Sequence, residues 1–167
     1  IATLEKGNLK LDFKRLDIHL ILSKAVDIIK FKIEKRKGII TQKLDARNSY
    51  INGNRVHLLN IINNLLDNSN KYSVKNPDIL VKTYNKNDSL FVEIADKGIG
   101  IKKENLNKIF EKFFREPQGN VHNVKGFGLG LSYVKNMLEK HDASIQVTSN
   151  KNKGSVFLIK FKIDNGK

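Results

Sequence analysis

Three glycines at alternate positions, Gly126, Gly128 and Gly130, lie within KGFGLGLSYVKNMLEKH (residues 125–141) and run straight into a helical pattern. Such a run can cradle phosphate. Glycine lets a ligand approach the main chain, and the free N–H groups and dipole at a helix start favour an anion. Two other kinds of glycine loop do not fit. A dinucleotide fingerprint needs GxGxxG after a strand, whereas this run is GxGxG, follows the polar segment 116–124, and lies too near the C-terminal end for a ribose-binding acid to follow. No GxxxxGK[ST] occurs, nor HRD or DFG. Taken alone, the run equally suits a glycine-rich turn that caps a helix.

Asn64 and Asn68 stand four residues apart, on one face of a helix, with Lys71 and Tyr72 a turn further on. A solvated helix surface would read the same way. An amide oxygen, however, is a good ligand for a hard cation, and Mg²⁺ takes few protein ligands beside phosphate oxygens and waters. Asn68 suits that role and Lys71 could meet a phosphate. In DKGIGI (residues 96–101), Asp96 offers an acceptor for an exocyclic amine such as adenine's, while Gly98 and Gly100 let a ring lie against the backbone. In IFEKFFR (residues 109–115), two phenylalanines three apart on a helical face suit packing, and Arg115 could pair with phosphate.

These residues need elements to hold them. Alternating Leu9, Leu11 and Phe13 predict a strand over 8–14. Ile18, Ile21, Leu22, Ala25, Ile28, Ile29 and Ile33 form the apolar stripe of a helix over 18–35, and a strand follows at 38–43. After a turn at Asn52-Gly53, Asn54 can cap a second helix, 55 to about 72, with Val56, Leu59, Ile62, Leu65 and Leu66 inward. A hairpin over 78–84 and 90–95 delivers Asp96 at its C-terminal end. A short helix at 104–110, the helix after the glycines, and a hairpin over 144–147 and 155–163 complete the chain. Strands and helices mixed in this way imply a sheet covered by helices on one face.

The 167 residues suffice for one domain with a core, and 40% hydrophobic content argues against disorder. The absence of cysteine excludes a disulfide scaffold and thiolate metal sites, and no apolar run approaches the roughly 18 residues of a membrane span. Starting at Ile1 with no signal-peptide pattern, the chain reads as a piece of a longer protein. Its charge of +14, from 31 Lys and Arg against 17 Asp and Glu, is spread along a sequence rich in Lys, Asn and Ile. That is a compositional bias, and no specific nucleic-acid partner is expected.

In order, NNLLDNSNKYS, DKGIGI, IFEKFFR, GFGLGL and KNKGSVF resemble the asparagine box, first glycine box, phenylalanine box, second glycine box and closing glycine segment of sensor histidine kinases. The resemblance spans about residues 51–161 and points to the catalytic ATP-binding domain of a bacterial two-component kinase, in the superfamily of gyrase, Hsp90 and MutL. It implies an α+β Bergerat fold, a two-layer α/β sandwich with a mixed, mainly antiparallel sheet. Residues 1–15 would be the linker from a dimerisation domain and 16–167 the catalytic domain.

Carried over, the resemblance gives Asn68 the Mg²⁺, Asn64 and Lys71 the phosphate region of ATP, and Tyr72 the nucleoside. Asp96 would read adenine N6 with Gly98, Gly100 and Ile101 around the ring. Gly126, Phe127, Gly128, Leu129, Gly130 and Leu131 would wrap the triphosphate. Arg115 and Lys125 would act as cations of a lid over about 102–125. Hydrolytic relatives usually carry Glu-x-x-x-Asn where this chain has Asn64 before Asn68. An amide cannot take a proton from water, so little ATPase activity is expected and the γ-phosphoryl would pass to a histidine elsewhere.

None of the four histidines resembles the family's phosphoacceptor. His141-Asp142 ends the helix after the glycines, where the family shows His-Gly-Gly, and reads as structural; His19 and His57 fall on helices and His122 in the lid. Asn54 and Asp142-Ala143 depart from the family's usual residues at points of turn and cap chemistry, while Ser69 is nearly isosteric with the alanine common there. The partners implied are the parent's own dimerisation and phosphoacceptor domain, as a homodimer, and a response regulator receiver domain. The domain would face the cytoplasm on an inner-membrane protein. The competing readings are an anti-sigma-type serine kinase and a nucleotide-sensing module without catalysis.

Overall fold

The computed structural model describes residues 11–115 and 127–166. Its elements run β1 (Lys14–Asp17), α1 (Ile18–Lys35), β2 (Ile39–Leu44), β3 (Tyr50–Gly53), α2 (Arg55–Lys71), β4 (Asp78–Lys86), β5 (Ser89–Asp96), α3 (Gly130–Lys140), β6 (Ser144–Ser149) and β7 (Ser155–Lys162). Strands β2, β4, β5, β7 and β6 form one mixed sheet in that order, parallel only between β2 and β4, while β1 and β3 form a separate antiparallel ribbon. The helices cover one face of the larger sheet, as expected of an α+β sandwich.

The apolar periodicities explain this layering. On α1 the residues Ile18, Ile21, Leu22, Ala25, Ile29 and Ile33 are buried, and on α2 Leu58, Ile61, Ile62, Leu65 and Leu66 are. Two expected members miss the core. Val56 is 64% exposed because it sits about 200° around the helix from Leu58, and Ile28 stands at the edge of its stripe. From the sheet come Ile79 and Val81 of β4, Leu90, Val92 and Ile94 of β5, and Phe157, Ile159 and Phe161 of β7. Each such side chain contributes roughly 1.5–3 kcal/mol by leaving water. Period-two alternation then carries Asp96 to the helix-facing side too, in register with Ile79 on one neighbour and Ser155 on the other.

The Asn54 cap forms as expected: its side-chain oxygen accepts from the N–H groups of Val56 and His57, each at 3.1 Å. Asn54 is also a node. Its amide donates to the Asp12 carbonyl, and its backbone N–H donates at 3.0 Å to Nε2 of His141, at the end of α3. The other ring nitrogen of buried His141 donates to the Met137 carbonyl, so the imidazole is neutral with its proton on Nδ1. Burial holds its pKa below the usual histidine range. Its reading as structural stands. Asp142 beside it has a φ of 50°, the left-handed conformation that a glycine takes freely.

Three local expectations change. The strand expected over 8–14 lies instead at Lys14–Asp17, since its partner β3 offers pairing only from Gly53 to Tyr50; residues 8–10 lie outside the described set, and Phe13 packs at a tilt against His141 with ring centroids 4.8 Å apart. Instead of a helix over 104–110 there is a single 3-10 turn, Lys103–Asn105, followed by further turns. The helical face expected of Phe110 and Phe113 therefore does not exist: Phe113 has a φ of 64°, is 69% exposed, and donates its N–H to the Gly128 carbonyl at 3.0 Å. Lastly, β4 and β5 join through two residues, Asn87 and Asp88, both with positive φ, the tight hairpin turn that suits strand twist.

Candidate functional site

A pocket opens between the C-terminal half of α2, the end of β5, the turns after it and the start of α3. Asn68, Tyr72, Asp96, Gly100, Ile101, Arg115 and Leu131 of the expected site line it together. So do Ser69, Ile99, Ile109, Phe114, Ser155 and Phe157, which sequence reasoning had not assigned to the site. The missed residues are mostly its apolar walls, and only the sheet register and the turns after β5 reveal them.

Asp96 is the pocket's one carboxylate among the lining residues. Its Oδ1 accepts the Gly98 N–H at 2.8 Å, and Ser69 Oγ reaches its Oδ2 at 3.5 Å. Burial pushes the carboxyl above the usual carboxylate range, against the opposing effect of bonds from Gly98, Ser155 and Ser69. Ser69, which as a departure from the family looks like a space-filler, is therefore a partner of the acid. One oxygen held by the chain and one loosely held give a rigid acceptor facing an apolar pocket. That arrangement fits the amino group of a flat heterocycle.

The glycines nearby answer to the protein as much as to a ligand. A Cβ on Gly98 would come within 2.6 Å of the Tyr72 carbonyl oxygen, and on Gly100, with φ +65°, within 1.9 Å of the Asn150 carbonyl oxygen. Gly154 has the same property against the Asp96 carbonyl, at 1.8 Å. The closing hairpin turn is thus pressed onto the strand end that carries the acid. Gly100→Ala is expected to destabilise the chain by about 2–4 kcal/mol, from backbone collision and left-handed strain together. A denaturant midpoint matching the wild type would refute this packing.

Also bordering the pocket, through Leu131, α3 begins at Gly130 after Leu129, with no side chain capping its first turn. Its leading N–H groups and dipole suit an anion. Asn64 packs against this start, its Oδ1 lying 2.7 Å from where a Cβ on Gly130 would be, and its amide donates to the Asn60 carbonyl. Asn64 also lines a separate shallow groove with Ile28, Ile29, Lys32, Asn63 and Asp67 rather than the main pocket. Gly128, with φ +71°, packs on the Phe113 backbone, and Phe127 is 86% exposed, away from the pocket lining. Lys125 and Gly126 lie outside the described residues, as does most of the expected lid.

Lys71 follows Asn68 by one turn, at the end of α2. Burial holds its ammonium below the usual lysine range; Asp67 opposes this and the nearby Arg115 adds to it. Two cations near one another at the pocket suit an anionic ligand. The residues present therefore fit a nucleotide: an amine acceptor among apolar walls, Arg115 on the lining with Lys71, itself not a lining residue, near it, and an open helix start whose Leu131 also lines the pocket. Among the described residues no three His, Cys, Asp or Glu gather to hold a metal on their own. A cation here would rest on Asn68 and on oxygens of the ligand itself.

Comparison with known proteins agrees with this geometry. The family described as histidine kinase-, DNA gyrase B-, and HSP90-like ATPase matches residues 53–165. Among curated relatives, sensor protein RprX of Bacteroides fragilis is 42% identical over 157 residues, covering 93% of this chain and 30% of RprX. Signal transduction histidine-protein kinase ArlS of Staphylococcus aureus is 42% identical over 96 residues, covering 58% of this chain and 21% of ArlS. The chain thus spans under a third of the length of either. The solved catalytic domain of histidine kinase ThkA superposes with a TM-score of 0.79 at 21% identity, covering 92% of this chain and 97% of that one. ThkA in complex with response regulator protein TrrA gives 0.75 at 19% identity, covering 91% and 42%. By its matched motifs and by its fold, the chain belongs to the histidine kinase-, DNA gyrase B-, and HSP90-like ATPase family.

Proposed function

We propose that the chain binds ATP with Mg²⁺ in this pocket and presents the γ-phosphoryl to a histidine on a separate dimerisation domain of its parent sensor kinase. The observation that carries the reading is Asp96, an acid desolvated and oriented at a strand end inside an apolar pocket bordered by an uncapped helix start. Asp96 accepts the adenine amine, with Gly98, Gly100 and Ile101 beneath the ring and Tyr72 toward the nucleoside. Asn68 holds Mg²⁺, which when bound neutralises charge on the phosphates. Lys71 and Arg115 meet the same charge from the protein side, and residues 126–131 with Asn64 border the triphosphate. Lys125 adds a cation from the lid. Catalysis on this reading is positioning and charge neutralisation, the chain itself supplying no base.

The parent would be a homodimer through its dimerisation domain, linked to this one through residues 1–15, and would pass phosphate to a receiver domain. Among the described residues no helix is long and apolar enough to cross a membrane. We place the domain on the cytoplasmic face of an inner-membrane protein, with no specific nucleic-acid partner. Because Asn64 stands where a hydrolase needs a carboxylate base, the chain is expected to bind Mg–ATP, read by titration calorimetry, yet release phosphate slowly. Rapid, Mg²⁺-dependent phosphate release by the isolated chain would contradict the transfer reading.

A further inference from the structure

Arg36 ends α1 and lines no part of the nucleotide pocket, yet its guanidinium gathers four acceptors from a single distant segment. Nη1 donates to both the carbonyl and the side-chain oxygen of Asn70, the latter at 3.0 Å, while Nη2 donates to the Ser73 carbonyl at 2.7 Å and the Lys75 carbonyl at 3.2 Å. These acceptors flank Tyr72, the residue that closes α2. A planar fork of fixed geometry can hold several carbonyls at once, which a lysine cannot.

What Arg36 holds is the floor under the acid. The Tyr72 carbonyl accepts the Ile99 N–H at 3.0 Å and lies so close to Gly98 that a Cβ there would sit 2.6 Å away. Gly98 in turn donates to Asp96 Oδ1 at 2.8 Å. The path therefore runs from Arg36 to the 70–75 turn, to the Tyr72 carbonyl, to the Gly98 backbone, to the carboxylate. Ser73, itself buried, closes the same turn by donating its hydroxyl to the Ser69 carbonyl at 2.8 Å. Ser69 then reaches Asp96 from the helix side. We infer that Arg36 is a positioning residue for base selection: by clamping the 70–75 turn it fixes the orientation in which Asp96 accepts the 6-amino group.

This inference rests on the nucleotide reading above, and its test separates the two. The probes are Mg–ATP and Mg–inosine triphosphate, which carries a carbonyl where ATP carries the amine, titrated into the wild-type chain and into Arg36→Met and Arg36→Lys. The wild type is expected to prefer ATP. Both variants should lose about tenfold in ATP affinity, the scale of one charge-assisted hydrogen bond, while inosine triphosphate, held by its phosphates, changes less than about twofold. Arg36→Lys keeps charge and stem, so it reports even if Arg36→Met does not fold. A preference for ATP that survives both substitutions, with only the melting temperature lowered, would make Arg36 a plain structural tether and overturn the inference. A wild type that binds both nucleotides alike would instead overturn the placing of the base at Asp96, and the inference with it.

Discussion

Asp96→Asn is expected to weaken Mg–ATP binding by about a hundredfold or more while leaving the fold intact, because the change reverses one polar atom at the base-reading position. The amide oxygen can still accept from the Gly98 N–H. The other atom becomes an NH₂ facing the NH₂ of adenine, two donors with no acceptor between them in an apolar pocket. Thermal stability should hold or rise, since the empty protein no longer carries a desolvated carboxylate. The same burial fixes the sign of a pH effect. A raised folded pKa means that the acid takes up its proton at a higher pH than an ordinary aspartate, so affinity falls as pH drops through that raised value. Calorimetry across the acid range on the wild type, with the asparagine variant as a flat control, checks both. An asparagine variant that binds ATP as tightly as the wild type removes Asp96 from the site.

The second large effect concerns Asn68. In the full-length parent, Asn68→Ala should reduce autophosphorylation by Mg–ATP by about a hundredfold or more, the scale seen when one preorganised charge-stabilising group is lost. Nothing else on the pocket wall substitutes for it: beside Asn68 the lining offers hydroxyls, one arginine and the base-reading acid, and no cluster of acids among the described residues can seat a cation unaided. The backbone role of Asn68, accepting the Tyr72 N–H at 2.9 Å, survives truncation, so the helix end should keep its shape. Autophosphorylation that persists undiminished, with an unchanged requirement for Mg²⁺, would show that the metal is held elsewhere.

What the sequence displayed plainly were features decided by neighbours along the chain. The stripe of α1, the Asn54 cap and the arrival of Asp96 at a strand end all follow from local spacing, and the structure keeps them. Features decided by pairing across the chain were hidden. The β1 strand depends on which distant segment takes its register, and the 104–110 segment abandons its helix where Phe113 turns left-handed to meet Gly128. Ser155 enters the site only because β7 lies in register with Asp96, and Ser69 because α2 crosses that strand end. Arg36 sits in the basic run 30–37, which reads as a solvated helix end. Three of its four acceptors are backbone carbonyls at least 34 residues away, and carbonyls carry no signature in a sequence.

The ribbon of β1 and β3 is a short clasp at one end of α2. Four residue pairs join the two strands, β3 ends at Gly53, and Asn54 caps α2 at the very next position, itself tied to the Asp12 carbonyl and to His141 at the far end of α3. No loop lies between the clasp and the helix that carries Asn64 and Asn68. The backbone at Lys14, paired with Gly53, is thus joined without an intervening loop to the start of α2, and through the imidazole of His141 to the end of α3, so one short clasp ties together the two helices that border the pocket.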